Sequence, residues 1–561
     1  MADNDQRRLR AQCSHPAGSF VPFSTDDIAQ SVPGRFEQQV VRYAECLALK
    51  SKTRQYTYNA LNRRANQIAY AILARLGSGE EPVALLCEHD VPVIAALLGV
   101  LKAGKCYLPL DPLSPLARTA FMLADSGARL IVTDTRNVSR ASALASQQLL
   151  VLDIDALDQR LCTDNPGLSL PPDTLASLYY TSGSTGQPKG VVASHRTRMV
   201  NAMRTTNTLH ICADDRLILL YAAGFSGAVN ATFGALLNGA RLYPFDLRLE
   251  GVARLARWLR SEDMTIYHSP PPVFRNFVDT LTADETFPAL RVLLLASDSV
   301  FKTDIERYRR HFADRCLLLN AWGATEAPFF RPYFIDKTSV WPGPAVPAIG
   351  SIAHLGRKDF QIKVRGYRVE LEESEAELRK LDTIKDVVVV GRRDERGEQQ
   401  LVAYIVPAEV APTVSSLRHA LARTLPEYLI PSVFVQMPAL PLTPNGKVNR
   451  LALPEPGKTR PALDVPLVTP QTPLERTLAD IWADVLGLDD VGIHDPFLEL
   501  GGNSLLATQV VARVLRAYAV EVPIQVLFAS PTVAAMAVVI TQQQLAQLAD
   551  QNIARLLGEG A

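Results

Sequence analysis

The run of residues from 181 to 190, Thr-Ser-Gly-Ser-Thr-Gly-Gln-Pro-Lys-Gly, has the composition of an anion-binding loop. Its glycines let backbone N–H groups approach an anion closely, its hydroxyls add donors and its lysine adds positive charge. The order differs from the common GxxxxGKS/T nucleotide loop, because no Gly-Lys-Ser/Thr occurs within the run. The run therefore predicts polyphosphate binding, and a flexible surface loop of small residues is the alternative. The candidate ligands are Thr181, Ser182, Gly183, Ser184, Thr185, Gly186 and Lys189.

The same run closely resembles the signature of the acyl-adenylate-forming superfamily, which includes acyl-CoA synthetases, luciferases and the adenylation domains of nonribosomal peptide synthetases. Residues 101–111, LKAGKCYLPLD, and residues 233–240, FGALLNGA, are similar to further motifs of the peptide-synthetase branch. The resemblance covers most of the chain. It implies that ATP and Mg²⁺ are used to activate a carboxylic acid as its acyl-adenylate, with Thr181 among the catalytic residues.

Residues 320–326, NAWGATE, resemble the second nucleotide motif of this family, in which Tyr usually stands at the position of Trp322. The resemblance implies that Asn320 faces the adenine edge and that Trp322 packs on the ring, for which an indole offers a larger stacking face than a phenol. Thr325 would bond the α-phosphate, and Glu326 would hold Mg²⁺, a hard cation that favours carboxylate oxygen. A core aromatic beside a solvated carboxylate is the alternative. The implied nucleotide-binding set also contains Ala321 and Gly323.

Two later stretches are similar to the family's mobile lid. Residues 355–366 resemble the hinge motif, with Asp359 at the hinge position and Arg357 reaching the ribose or phosphates. Residues 444–448, PNGKV, resemble the motif that carries the catalytic lysine, here Lys447 on an Asn-Gly turn. A carboxylate that attacks a phosphate brings like charges together, so a fixed cation and Mg²⁺ stabilise the charge that develops. A solvated surface lysine is the alternative.

Residues 496–505, PFLELGGNSL, resemble the attachment site of acyl and peptidyl carrier domains. The resemblance implies a 4'-phosphopantetheine arm on Ser504, whose thiol would take the acid from the adenylate as a thioester and release AMP. We predict that Ser504 begins a helix, where the positive helix end would favour the phosphate of the arm. An ordinary capping serine is the alternative.

The segment between the second nucleotide motif and the hinge is shorter than the family pattern, because residues 327–352 alone fill it. The Arg-Thr-Gly-Asp-like motif, whose aspartate bonds the ribose hydroxyls in the family, is missing. A charge-assisted hydrogen bond contributes about 1.5–3 kcal/mol, so its loss would weaken ATP use by roughly one to two decades. The alternative function is therefore a degenerate adenylation domain that serves as a carrier or scaffold protein loaded in trans.

The peptide-synthetase branch usually has an aspartate after Phe225, which binds the α-amino group of the substrate. Aligning on residues 233–235 places Ser226 there, and a hydroxyl cannot pair with an ammonium as a carboxylate does. An ordinary α-amino acid is therefore not the expected substrate. His268 is explained equally well as a satisfied core histidine. The pocket candidates are Phe225, Ser226, Gly227, Asn230, His268, Leu294, Ala296, Ala321 and Phe329.

The elements that must position these residues change along the chain. Short β-branched runs alternate with helical patterns from about residue 35 to 350, which is typical of parallel α/β layers. A small α+β pattern with a hairpin at Gly366 follows, and a capping box at Thr472 and Glu475 then begins a helical bundle. We predict an α/β multi-domain fold with a large adenylate-forming core, a small α+β lid and a helical-bundle carrier domain. The predicted divisions are 20–356 for the core, 357–454 for the lid, 455–471 for a proline-rich linker, 472–545 for the carrier and 546–561 for a helical tail.

Composition narrows the class further. Lys+Arg and Asp+Glu both number 58 in 561 residues, which gives no support to nucleic-acid or membrane-surface binding. The N-terminus lacks the apolar stretch of a secretion signal, and the seven cysteines show no metal-like spacing, so a cytoplasmic protein with reduced thiols is expected. The expected function is a ligase of nonribosomal peptide or mixed biosynthesis. Its expected partners are a small carboxylic acid, a phosphopantetheinyl transferase and a downstream synthetase module or tailoring enzyme.

Overall fold

The structure is a computed structural model that describes residues 3–18, 20–183, 187–282, 285–323, 331–340, 361–394, 397–443, 448–529 and 531–558. These residues form a large core, a small lid and a C-terminal carrier domain, in chain order. The α/β multi-domain fold class predicted from the sequence is confirmed. Among the described residues, no helix is both long enough and apolar enough to cross a bilayer.

Two mainly parallel sheets form the core. Its strands are β1 Leu47–Lys50, β2 Gln55–Thr57, β3 Pro82–Leu86, β4 Cys106–Pro109, β5 Leu130–Thr133, β6 Leu150–Asp153, β7 Leu175–Thr181, β8 Lys189–Ser194, β9 Arg216–Leu219, β10 Arg241–Pro244, β11 Ile266–Ser269, β12 Val292–Ala296, β13 Leu317–Trp322 and β14 Arg331–Ile335. Six strands follow the order β6-β5-β3-β4-β7-β8, and eight follow the order β14-β13-β12-β11-β9-β10-β1-β2. Strands β9, β11, β12 and β13 pair in parallel, so their carboxyl ends meet at one edge.

Helices cover these sheets and separate them. They are α1 Asp3–Ala11, α2 Val32–Tyr43, α3 Tyr58–Leu76, α4 Val91–Lys102, α5 Leu116–Ser126, α6 Val138–Leu144, α7 His195–Leu209, α8 Ser226–Leu236, α9 Leu247–Glu250, α10 Leu255–Ser261, α11 Pro271–Asp279 and α12 Lys302–His311. Helix α4 starts at the Asp90 cap and is buried on every side, as expected for a helix that is apolar all round. One hydrophobic core joins it to residues of both sheets.

The lid is a small α+β unit. Its elements are β15 Gln361–Val364, β16 Tyr367–Glu370, α13 Leu371–Leu378, β17 Ile384–Arg393, β18 Gln399–Pro407, α14 Val414–Leu421 and β19 Val433–Gln436. The predicted hairpin turn is confirmed, because β15 and β16 pair in antiparallel fashion across Gly366, whose φ of +85° suits glycine. The hairpin leads directly into α13, which places both elements on the same side of the lid.

The carrier domain is a helical bundle built from α15 Pro473–Leu486, α16 Ser504–Tyr518, α17 Gln525–Ala529 and α18 Val533–Gly558. The capping box of Thr472 and Glu475 starts α15, and Gly487 ends it in the left-handed conformation, both as predicted. The predicted division at residue 545 is wrong, because it falls inside α18. The bundle helix and the predicted tail helix are one helix, since nothing in the sequence between them stops a helix.

The linker of residues 455–471 contains no helix or strand, in agreement with its prolines, but it is packed against its neighbours. Arg460 forms two hydrogen bonds of 2.7 and 2.8 Å with the fully buried carboxylate of Asp495 in the carrier. On the lid side, the Val414 N–H donates to the Ala462 carbonyl oxygen at 2.8 Å. The linker therefore contacts the lid and the carrier at the same time.

Candidate active site

The phosphate loop connects two antiparallel strands at the edge of the six-stranded sheet. Thr181 ends β7 and lies opposite Lys189, the first residue of β8. A Cβ at Gly183 would overlap the carbonyl oxygen of Gln187, so the loop closes on itself too tightly for any other residue. This close backbone approach is what a polyphosphate-binding loop needs. Residues 184–186 lie outside the described residues, so the contribution of Ser184, Thr185 and Gly186 stays a prediction.

The lid is docked on this loop. The Ser182 hydroxyl donates to the Arg368 carbonyl oxygen at 2.7 Å and accepts from the Glu370 N–H at 3.2 Å. Behind this contact, Glu373 at the start of α13 forms an ion pair with Arg118 of α5, and the two side chains are 1% and 6% exposed. Burial raises the pKa of Glu373, while Arg118 and the Gly183 N–H oppose that shift. The two units therefore meet through a buried charge pair beside the loop.

The candidate acid pocket lies at the carboxyl edge of the eight-stranded sheet. His268 on β11 is in register with Leu294 on β12, and Ala296 with Ala321 on β13. Because side chains alternate along a strand, these four residues share one face of the sheet. Helix α8 packs on that face, and its start carries the remaining described candidates, Phe225, Ser226, Gly227 and Asn230. The described pocket candidates therefore lie on two adjoining elements, the sheet face and the first turns of α8, and their role in binding stays a prediction.

Tyr221 is a pocket residue that the sequence reasoning missed. It follows β9, and its ring lies 4.7 Å from the His268 ring and 6.3 Å from the Phe225 ring. Its hydroxyl donates to the Ala296 carbonyl oxygen at 3.3 Å, and a Cβ at Gly227 would lie only 2.8 Å from its ring. The signal was an aromatic residue just past the end of a parallel strand, where sheet sites are commonly built.

His268 is buried and neutral. Desolvation lowers its pKa to about 3, and its Nε2 atom has no hydrogen-bond partner among the described residues. A buried polar atom without a partner is costly, which is a reason to expect a ligand there. The lid also contacts the candidate pocket, because Tyr367 of the hairpin packs edge-on against Phe225 with ring centroids 4.4 Å apart.

Ser226 is the first residue of α8 and is half-buried. The described pocket candidates include no carboxylate. The nearest acid along the chain, Asp298, lies two residues after Ala296, and burial raises its pKa although Lys363, Arg275 and Arg393 oppose the shift. Burial thus disfavours its charged form. Within the described residues, the pocket therefore lacks an obvious partner for a substrate ammonium group.

The structure describes only part of the predicted nucleotide, pocket and lid residues, and the roles of all of them stay predictions. Asn320 is buried near the carboxyl end of β13, and Gly323 follows that strand. The backbone of Trp322 ends the strand. The residues outside are Thr325, Glu326, Phe329, Arg357, Asp359 and Lys447.

Ser504 is the first residue of α16, as predicted, and its side chain is half-buried. The cap of the helix is Asn503, whose side-chain oxygen accepts from the N–H groups of Leu505 and Leu506 at 3.0 and 3.1 Å. The Ser504 hydroxyl makes no hydrogen bond with the described residues, so the alternative of a capping serine is wrong. A hydroxyl at a helix start, with the cap supplied by its neighbour, fits the attachment of a phosphopantetheine arm.

The structure therefore combines a two-sheet core, an α+β lid docked on it and a helical bundle in which Ser504 begins a helix, which is the architecture of an adenylate-forming enzyme joined to a carrier domain. Comparison with protein families gives the same division: residues 36–364 match the AMP-binding enzyme model, residues 373–447 the AMP-binding enzyme C-terminal domain, and residues 476–540 the phosphopantetheine attachment site. The chain belongs to the AMP-binding enzyme family.

Its relatives include large peptide synthetases. The chain is 33% identical over 587 positions to gramicidin S synthase 2 of Aneurinibacillus migulanus, which covers 92% of this chain and 13% of the relative. It is 33% identical over 585 positions to tyrocidine synthase 3 of Brevibacillus parabrevis, which covers 91% of this chain and 9% of the relative. The chain thus spans a small part of the length of these relatives.

The fold is that of solved adenylation–carrier structures. A nonribosomal peptide synthetase protein containing adenylation and PCP domains, bound to a vinylsulfonamide inhibitor, has a TM-score of 0.70 at 22% identity and covers 92% of this chain and 98% of its own. The Vibrio cholerae adenylation domain AlmE has a TM-score of 0.65 at 18% identity, with 77% and 98% covered.

The length of the alignment with gramicidin S synthase 2 can be compared with the shortened segment of residues 327–352. The alignment with gramicidin S synthase 2 runs over 587 positions but uses 92% of 561 residues, or about 516. About 70 positions of the relative therefore have no counterpart in this chain. A deficit of this size agrees with several dozen residues missing before the hinge.

Proposed function

We propose that the chain uses ATP and Mg²⁺ to activate a carboxylic acid as its acyl-adenylate and then holds the acid as a thioester on a 4'-phosphopantetheine arm of Ser504. The observation that carries this proposal is that one lid contacts both the phosphate loop and the carrier domain. On the core side, the Glu370 N–H donates to Ser182. On the carrier side, the Ser415 hydroxyl donates to Glu499, five residues before Ser504.

The carrier also contacts the core directly. Gln509 of α16 donates to Asn276 of α11, and Arg254 forms an ion pair with Glu521. Helix α11 follows the strand that bears His268, so these contacts join α16 to the helix next to that strand. The carrier therefore contacts the core that bears the candidate activation site, which supports loading within the same chain.

We propose that the pocket accepts an acid that need not carry an α-ammonium group. Ser226 replaces the expected carboxylate, and the described pocket candidates offer no other. The unpartnered Nε2 of neutral His268 instead favours an acid with a hydroxyl or carbonyl substituent that can share a hydrogen bond. When bound, the arm supplies the thiol that accepts the acyl group, and the chain's residues position the acid and the nucleotide.

The experiment is loading of the holo protein. The full chain is modified by a phosphopantetheinyl transferase in the presence of CoA, given ATP, Mg²⁺ and a panel of amino, hydroxy, keto and aryl acids, and the mass added at Ser504 is measured. We expect one acid to load, with loading lost in Lys447→Ala and in Ser504→Ala. Loading that persists in Lys447→Ala, or an absence of loading with every acid, would argue against this proposal.

The deficit of about 70 aligned positions favours a second candidate function, a carrier or scaffold protein loaded in trans. The same assay separates the two. Loading that needs a second synthetase, and that is insensitive to Lys447→Ala, identifies the scaffold. In both cases the proposed partners are a phosphopantetheinyl transferase and a downstream synthetase module or tailoring enzyme, and the proposed location is the cytoplasm.

A further inference from the structure

We propose that His15, Cys212 and Asp214 form a binding site for a zinc-class divalent cation, separate from the ligase site. The three side chains each offer one ligand atom, and these atoms lie within 4.8 Å of one another. His15 belongs to the N-terminal segment, whereas Cys212 and Asp214 belong to the turn between α7 and β9. The site was not visible in the sequence, because almost two hundred residues separate the imidazole from the thiol.

The donor set selects the kind of cation. A thiolate, an imidazole and a carboxylate suit Zn²⁺, while Mg²⁺ and Ca²⁺ favour oxygen ligands only. Tetrahedral Zn²⁺ at about 2.0–2.3 Å from its ligands holds the ligand atoms roughly 3.5 Å apart. The three ligand atoms lie within 4.8 Å of one another, so small side-chain movements would bring them to that spacing. Three protein ligands leave a fourth position for water. The Zn–S bond forms as the S–H bond of Cys212 breaks, and the proton passes to solvent.

Hydrogen bonds on both sides of His15 hold its segment in place without a metal. Before His15, the Gln6 side chain both donates to the Phe334 carbonyl oxygen and accepts from its N–H, at 3.0 and 2.8 Å. After it, the Asn207 side chain accepts from the Phe23 N–H and donates to the Phe23 carbonyl oxygen, at 2.7 and 2.8 Å. The segment that carries the imidazole is therefore held at both ends, which makes its position against Cys212 a property of the fold.

Close packing surrounds the thiol. A Cβ at Gly18 would overlap Cys212 Sγ, so glycine lets the N-terminal segment approach the sulfur directly. The neighbouring Asp215 is paired with Arg291 at 2.7 Å, and both are buried, so that pair adds little net charge. A thiolate and the Asp214 carboxylate would then balance a dication. A bound cation would have to displace or turn away the hydrogen bond from the Ala17 N–H to His15 Nδ1 at 3.2 Å.

The test uses untagged, metal-depleted full-length protein titrated with Zn²⁺ against a chromophoric chelator, in excess Mg²⁺ to fill carboxylate-only sites. We expect one equivalent to bind, with affinity falling roughly tenfold or more in Cys212→Ser and in His15→Ala. Cys46→Ser is the matched control, because Cys46 is also a free thiol but is exposed and outside the cluster. We expect it to bind Zn²⁺ as the unmodified protein does.

Cobalt substitution supplies a second readout that does not depend on stoichiometry. Co²⁺ bound through a thiolate gives a ligand-to-metal charge-transfer band, which should be present in Cys46→Ser and absent in Cys212→Ser. His15→Ala keeps the test valid if Cys212→Ser fails to fold, since His15 is only half-buried at the surface. The proposal is overturned if the unmodified protein binds no Zn²⁺, or if both cluster variants bind it as tightly as Cys46→Ser.

Discussion

The buried pair of Arg118 and Glu373 should hold the lid on the core, and Glu373→Gln tests this with almost no change of shape. The pair joins α5 of the core to α13 of the lid, with the two side chains 6% and 1% exposed. Arg118 also interacts with the Tyr428 hydroxyl of the lid. The substitution therefore leaves a buried guanidinium without its carboxylate only while the lid is docked.

The magnitude follows from the burial. Removing one partner of a buried ion pair costs roughly 3–5 kcal/mol. We take the lower end, about 3 kcal/mol, because Arg118 keeps its hydrogen bond with Tyr428 and a glutamine oxygen can still accept from it. Since ~1.4 kcal/mol corresponds to a factor of ten, lid docking should weaken by roughly a hundredfold. Neither domain should lose stability by itself.

Hydrogen exchange reads this equilibrium directly. The Glu370 N–H donates to Ser182 across the interface, so its exchange rate reports lid opening. We expect it to exchange roughly a hundredfold faster in Glu373→Gln, and carrier loading to fall more than ATP–pyrophosphate exchange. Glu377→Gln is the control, because Glu377 lies on the same helix and forms its hydrogen bonds to Lys380 and Thr424 within the lid. Equal exchange rates in the two variants would refute the reasoning.

Three further outcomes are expected. Gly183→Ala should abolish nucleotide binding because a Cβ overlaps the Gln187 carbonyl oxygen, whereas Gly224→Ala, with open space around it, should leave binding intact by calorimetry. Asn503→Ala should destabilise the start of α16 by about 1 kcal/mol in hydrogen exchange, and Ser504→Ala should not. Burial holds the His268 pKa at about 3, below the unfolded value, so folding stability should fall as pH drops from about 6.5 toward 3. His268→Gln should remove that part of the acid loss in urea titrations, and an unchanged slope would contradict it.

Local signals were read correctly from the sequence. The capping box at Thr472, the glycine stop at Gly487 and the hairpin at Gly366 depend on neighbours a few residues away, and all three are present. The long helix α18 was divided wrongly because its apolar first half gives way to a polar second half without a stop signal. Composition changed there, but the backbone geometry did not.

Contacts between distant segments could not be predicted from the sequence. Arg118 and Glu373 are separated by 255 residues, and no pattern in either helix marks one as the partner of the other. Tyr221 was missed for a related reason, since only the register of three parallel strands shows which side chains share its face. The pocket candidates came from aligning a family motif, whereas Tyr221 lies beside them through tertiary packing, for which the sequence carries no local signal.

The hydrogen bonds of Ser182 require the lid to move if Ser182 binds phosphate, as we propose. A hydroxyl has one proton to donate, and in this structure the Ser182 proton goes to the Arg368 carbonyl oxygen at 2.7 Å. A phosphate oxygen accepts but does not donate, so it cannot share that hydroxyl while the hairpin stays in place. The observed arrangement and a phosphate oxygen on the Ser182 hydroxyl are therefore mutually exclusive. If activation uses that hydroxyl, the activation and loading that we propose need two positions of the lid, and the predicted hinge residue for that movement is Asp359.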